Sequence, residues 1–215
     1  MDWLQVDSKK DLWQIKNIIH KDLMDAIAIQ DLPNLPYEDW GVAGSHMDNH
    51  RRLIKQQAGD VWCELTDHVQ NQKNLISSII EEKVESISTV LWYDIEGWSI
   101  GNHIDNPSVK NIMQIYLTDC EGVGTVFYDI NERDIEDRDD QQQWHYVGNS
   151  PRIRSEFDFV KNTGYIMKNN RLQLHGVPNT VGKNQQRLSL YCWIRQVFCL
   201  VDRIHFLVYN CLYDA

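Results

Sequence analysis

The chain has 215 residues, 42% hydrophobic and 24% charged, with a net charge of −10 from 21 Lys+Arg against 31 Asp+Glu. That length carries one domain with a sizeable core, and the negative balance disfavours broad binding to a nucleic-acid backbone. No apolar run is long enough to span a membrane. The first residues also lack the basic start and apolar centre of a secretory signal, so a cytoplasmic protein is expected. Cys63, Cys120, Cys192, Cys199 and Cys211 are scattered and form no CxxC pair. They read as reduced thiols rather than disulfides or a thiolate metal site.

In chain order, residues 8–28 predict an amphipathic helix. Ser8 and Asp11 resemble a capping box, and Leu12, Ile15, Ile19, Leu23 and Ile27 follow a 3–4 spacing. His20 beside this stripe reads as a packing or surface residue. Pro33 and Pro36 break the pattern, and residues 31–48 read as loop. His46 and His50 are four apart, but their segment is polar and begins in a loop, so they read as surface residues. A second helical region is expected over 51–85, with Trp62, Leu65, Val69, Ile76, Ile79 and Ile80 as its apolar face and the Asn71–Asn74 run as an interruption.

After Ser86 the period changes. Ile87–Tyr93 is rich in β-branched and aromatic residues and reads as a strand. Further strands are expected near 99–105, 111–118, 124–130, 157–160, 164–168, 171–176 and 186–195. Many short strands after a block of helices predict an α+β, mainly β, fold. Its core would be a β-sandwich or a double-stranded β-helix (jelly roll), buttressed by the N-terminal helices. The expected division is a helical buttress over 1–85, a jelly-roll core over 86–195 and a packing segment over 196–215. Residues 129–156 form a charged insertion ending in Trp144, His145 and Tyr146. The aromatic cluster suggests a mobile lid or substrate-contacting loop rather than a purely solvated one. His205, in the C-terminal segment, reads as structural.

The candidate chemistry begins at His103-x-Asp105. On a strand, side chains two apart share a face, so this pair supplies two corners of a metal site. His175, after a predicted strand, is the candidate third. Two histidines and one carboxylate with other positions open suit non-haem Fe(II) oxygenases. Arg187 and Ser189 share a face of the last clear strand. There a guanidinium can grip a carboxylate in a fork and a hydroxyl can add a donor.

These residues resemble the signature of the Fe(II)/2-oxoglutarate-dependent dioxygenases over about residues 90–195, and within them the prolyl hydroxylases of the hypoxia type. Tyr93 precedes His103 by ten residues, and Asp105 runs into Asn106-Pro107. Ile115-Tyr116-Leu117, the Gly122/Gly124 turn, Gly164 and the Arg187-to-Trp193 spacing also resemble the family's pattern. The resemblance implies that His103, Asp105 and His175 hold Fe(II). It also implies that Arg187, with Tyr116 and Ser189, binds the distal carboxylate of 2-oxoglutarate, and that Tyr93 lines the pocket. Strand alternation turns Gln114, Tyr191 and Trp193 inward, and Leu188, Leu190, Cys192 and Ile194 toward the helices.

The implied reaction uses Fe(II), 2-oxoglutarate as co-substrate and O2, with ascorbate as an optional reductant. It hydroxylates a C–H bond and releases succinate and CO2. A halogenase would leave the Asp105 position empty, so the carboxylate argues for hydroxylation. The implied substrate is a prolyl residue in a peptide or protein, with a free amino acid or other small metabolite as the alternative. A non-catalytic cupin-like binding protein is the rival from another class. A cupin would more typically show H-x-H with a later glutamate, and it has no evident use for Arg187.

Overall fold

The computed structural model describes residues 1–6, 11–39, 50–54, 60–138 and 143–196. Ser8, His46, Cys199, His205, Cys211 and the expected packing segment beyond Gln196 lie outside the described residues. The strands are β1 (Asp2–Gln5), β2 (Leu12–Lys16), β3 (Tyr37–Asp39), β4 (Arg51–Ile54), β5 (Val84–Asp94), β6 (Ile100–His103) and β7 (Asn111–Tyr116). They continue with β8 (Cys120–Asp129), β9 (Ile135–Arg138), β10 (Gln143–Tyr146), β11 (Arg152–Phe159), β12 (Thr163–Lys168), β13 (His175–Val177) and β14 (Arg187–Gln196). The helices are α1 (Lys21–Ala28), α2 (Val61–Asn71) and α3 (Lys73–Ile80). No described helix is long and apolar enough to cross a membrane.

Among the described residues, one antiparallel sheet has the order β1-β2-β12-β7-β14-β5-β4-β3 and a second has the order β11-β8-β13-β6. β9 and β10 form a separate ribbon. The two sheets enclose an aromatic core of Tyr116, Phe127, Phe157, Phe159 and Tyr165, with Leu12, Ile112 and Met167. The other face of the large sheet packs on the helices. Ile87, Leu91, Met113, Ile115, Leu188, Leu190, Cys192 and Ile194 meet Leu23, Ile27, Trp62, Leu65, Val69, Ile76 and Ile80 there. Each such side chain taken from water contributes roughly 1.5–3 kcal/mol. The jelly roll is as expected, and so is the outward set on β14.

The N-terminal block differs from a purely helical one. Residues 12–16 are a strand: Leu12 joins the inner core and Trp13 and Ile15 join the helical layer, while Gln14 is half-buried and Lys16 exposed. Leu12, Ile15 and Ile19 also fit a 3–4 spacing that runs on into α1, so a strand this short mimics the start of a helix. Asn17, at φ 51°, ends it. The Asn162 side-chain oxygen then takes the Ile18 and Ile19 N–H groups. His20 caps α1 by accepting from Leu23 N at 3.2 Å. Likewise 51–54 is a strand rather than the start of a helix, and it pairs with β5. Asp60 caps α2 through Trp62 N and Cys63 N. The expected interruption falls at Gln72, between α2 and α3.

Gly164 marks a close approach of β12 to β7. A Cβ there would stand 1.9 Å from the Gln114 carbonyl oxygen and 3.1 Å from Ile115 Cα, both backbone atoms of β7. Neither can swing away as a side chain could. Gly164→Ala is expected to cost about 3 kcal/mol, a fall in Tm on the order of 10 °C, measured by thermal or urea unfolding. An unchanged Tm would mean the two strands stand further apart.

Candidate metal centre and anion anchor

β6 and β13 are adjacent, with His103 directly opposite His175. Directly paired residues share a face, and both imidazoles turn into the space between the sheets, their centroids 4.5 Å apart. Asp105, two residues past His103, joins them. Its Oδ1 lies 3.5 Å from His103 Nε2 and its Oδ2 lies 3.6 Å from His175 Nε2. One ligand atom from each residue falls within 4.8 Å of the others. Nitrogen and oxygen ligands about 2.1 Å from an ion, at right angles, stand about 3.0 Å apart. The three groups therefore need only a small movement to share one.

The surroundings orient the ligands. His103 Nδ1 is 2.9 Å from the Gly101 carbonyl, and His175 Nδ1 is 2.9 Å from the Gln173 carbonyl. A carbonyl only accepts, so each Nδ1 carries a proton and each Nε2 faces the centre, where it presents a lone pair whenever the ring is neutral. Burial lowers the His175 pKa, and the neighbouring His103 lowers it further, to about 4 against the pull of Asp105. The ring is neutral at pH 7. Burial also acts to lower the His103 pKa, but the hydrogen bond and charge of Asp105 outweigh it and leave it raised. Burial pushes the Asp105 carboxyl up. The charge of His175 and the contacts of His103 and Tyr191 overcome that and hold it at about 2. Tyr191 donates to Asp105 Oδ2 at 3.2 Å. The Asn106-Pro107 turn is fastened by Asn169, whose amide reaches the carbonyls of Asp105, Asn106 and Val109. Phe127 stacks on the His175 ring. The His103 side chain is 34% exposed and the His175 side chain 6%, so the cluster opens to solvent on the His103 side.

The described residues of the insertion pack on the small sheet. Ile104, between two candidate ligands, and Leu174, beside the third, point to the opposite face of the small sheet. There they pack with Val126, Tyr128 and Ile135, flanked by Trp144 and Tyr146. The described part of 129–156 thus braces the ligand-bearing strands through Ile135, Trp144 and Tyr146. Its acidic residues hid an alternating hairpin.

Farther along the inner face of β14 lies a second cluster. Arg187 is 1% exposed and donates from a terminal nitrogen to Asp94 Oδ2 at 2.7 Å. Asp94, fully buried, also accepts from Arg51 Nε at 2.6 Å and from a second Arg51 nitrogen at 3.0 Å. Both guanidiniums lie over the Trp98 ring, at 4.2 Å for Arg51 and 4.5 Å for Arg187. Phe159 and Tyr116 border Arg187 on its other sides. Arg187 Nε is buried with no hydrogen-bond partner among the described residues. An orphaned donor on a buried cation is the feature a bound carboxylate would satisfy. The residues present therefore fit an anionic ligand.

Of the other expected co-substrate residues, Tyr116 faces inward and donates to Thr125 Oγ1 at 2.9 Å. Burial pushes its hydroxyl up to about 12 although Arg187 opposes it, so it stays a neutral donor. Ser189 is buried and accepts from Gln114, which accepts from Tyr165. Gln114 and Tyr191 are thus inward, as alternation predicts, and Trp193 stands against Tyr191. Tyr93 is a correction. It pairs with Leu188 and is packed in the layer between sheet and helices, away from the pocket. The inward neighbour on β5 is Asp94. Asp94, Arg51 and Trp98 are absent from the sequence-based set, as is Arg154, which reaches over Phe127 and donates to Gln173.

No protein-family model matches the sequence, and no curated protein matches it. Solved structures do. A prolyl-4-hydroxylase from Pseudomonas putida is 12% identical with a TM-score of 0.56, over 87% of this chain and 94% of that one. A prolyl hydroxylase from Trichoplax adhaerens, in complex with a hypoxia inducible factor oxygen degradation domain peptide fragment, is 14% identical with a TM-score of 0.58, over 87% and 84%. The epimerase SnoN, in complex with Fe3+, alpha ketoglutarate and nogalamycin RO, is 10% identical with a TM-score of 0.56, over 86% and 78%. The chain therefore has the fold of the 2-oxoglutarate/Fe(II) oxygenases. Among these similar structures are prolyl hydroxylases.

Proposed function

We propose that this protein is an Fe(II)- and 2-oxoglutarate-dependent dioxygenase that hydroxylates a C–H bond, with a prolyl residue of a peptide or protein as substrate. The observation that carries the reading is the convergence of His103, Asp105 and His175, with both Nε2 atoms 3.5–3.6 Å from the oxygens of one carboxylate and each Nδ1 held by a backbone carbonyl. Bound Fe(II) and 2-oxoglutarate would supply the oxidising power that puts one atom of O2 into the C–H bond, with succinate and CO2 as the other products.

The chain's own contribution is placement and charge. His103, Asp105 and His175 would hold the ion on one side and leave its other positions open. Tyr191 fixes Asp105 Oδ2, and the Gly101 and Gln173 carbonyls fix the imidazole planes. Arg187, with Tyr116 and Ser189, would take the distal carboxylate of the co-substrate. The aromatic walls between the sheets exclude water around it.

The prolyl reading is supported by the Asn106-Pro107 sequence after Asp105 and by the likeness to two prolyl hydroxylase folds. The likeness to SnoN favours a second reading, in which the substrate is a small molecule. The test is turnover. Purified protein given Fe(II) and 2-oxoglutarate is expected to form succinate without added substrate, and mass spectrometry of proline-rich peptides and cell lysate is expected to find one added oxygen atom on a prolyl residue. No succinate from the wild type would sink the reading. Succinate with no protein modified would favour the small-molecule substrate.

A further inference from the structure

We infer that Arg51 is a positioning residue for the co-substrate anchor: by neutralising Asp94, it leaves the charge of Arg187 free for a ligand carboxylate. The inference rests on the co-substrate reading above. It starts from a row of three residues across adjacent strands. Arg51 on β4 is opposite Asp94 on β5, and Asp94 is opposite Arg187 on β14. All three side chains meet, at 2.6–3.0 Å from Arg51 and 2.7 Å from Arg187.

The charges in that row decide what the anchor can bind. Arg187 and Asp94 alone form a neutral buried pair. A carboxylate approaching it would meet as much negative charge as positive, and would gain little for losing its water. Arg51 changes the sum. It takes both oxygens of Asp94 with two nitrogens, so two cations share one anion and the cluster carries a net charge of about +1. One ligand carboxylate brings it to zero.

The geometry shows where the uncompensated charge can be met. Asp94 Oδ1 and Oδ2 are both occupied, and Arg187 commits only one terminal nitrogen to them. Its Nε, buried beside Trp98, Phe159 and Tyr116, has no hydrogen-bond partner among the described residues. Trp98 lies against both guanidiniums, and the attraction of its ring for cations offsets part of the cost of placing two like charges in one pocket. Arg51 is thus placed to act through Asp94 rather than by touching the ligand itself.

The experiment measures binding of 2-oxoglutarate to the full chain loaded with Mn(II), by calorimetry, with Mn(II) affinity as the internal check that each variant is folded. Arg51→Gln is expected to weaken 2-oxoglutarate on the order of thirtyfold while leaving 2-oxobutyrate, which lacks the distal carboxylate, unaffected. Adding Asp94→Asn restores the net charge, and the double variant is expected to recover most of the loss. A merely structural role for Arg51 would not be repaired by a second substitution. If Arg51→Gln does not fold, Asp94→Asn alone, at +2, is expected to bind tighter than the double variant, at +1. The inference is overturned if Arg51→Gln binds like wild type, if the double variant is no tighter than Arg51→Gln, or if Asp94→Asn and the double variant are equal. Wild-type protein that binds Mn(II) but ignores 2-oxoglutarate would instead overturn the co-substrate reading, and this inference with it.

Discussion

His175→Ala is expected to abolish succinate formation, and no concentration of Fe(II) or 2-oxoglutarate should restore it. His175 is the most enclosed of the three candidate ligands, with a side chain 6% exposed. It also spans the two neighbours that keep the site in shape, Phe127 against its ring and the Gln173 carbonyl on its Nδ1. Removing it leaves His103 and Asp105, which come from a single turn of chain and hold an ion on one side only. Loss of a partner outside the ligand shell already weakens metal sites 10- to 100-fold, so loss of a ligand should exceed about 100-fold. Fe(II) content after gel filtration and succinate release measure the two effects separately. A variant that keeps its metal and its turnover within tenfold of wild type would remove His175 from the centre.

The parts of this site that were legible before the structure are those governed by a two-residue period. His103 with Asp105, and Arg187 with Ser189 and Tyr191, each lie on one face because strands alternate, and the same rule turned Leu188, Leu190, Cys192 and Ile194 to the helices. What was hidden depended on register, which alternation does not supply. Tyr93 was placed by its distance from His103. Its pairing with Leu188 turns it to the helical layer and hands the inward position to Asp94. Arg51 lay within a stretch that reads as helix, and nothing local shows that it pairs with β5, more than forty residues on. β2 was misread because Leu12 and Ile15 continue, through Ile19, the helical spacing of α1, and five residues are too few for alternation to decide against it. In the insertion the acidic residues dominate the composition. Ile135, Trp144 and Tyr146 are too few to show by periodicity alone that the ribbon packs behind Ile104 and Leu174.

Arg187→Ala is expected to separate binding from chemistry in the opposite way to His175→Ala. The side chain is buried, and its truncation leaves Asp94 held by two nitrogens of Arg51, so the buried carboxylate keeps a partner and the fold should survive. What disappears is the net positive charge of the anchor and the Nε donor that points at no other group. Truncating one partner of a buried charged pair costs roughly 2–5 kcal/mol, or about 30- to 5,000-fold in affinity. The concentration of 2-oxoglutarate needed for half-maximal succinate formation should rise by that factor, while Fe(II) affinity stays unchanged because the three ligands are untouched. Turnover should recover as co-substrate is raised. Arg187→Lys, which keeps the charge but not the fork, should fall between the two. An unchanged requirement in Arg187→Ala would mean the distal carboxylate is gripped elsewhere. The inward Arg154, which lies over Phe127 on the small sheet, would then be the next cation to test.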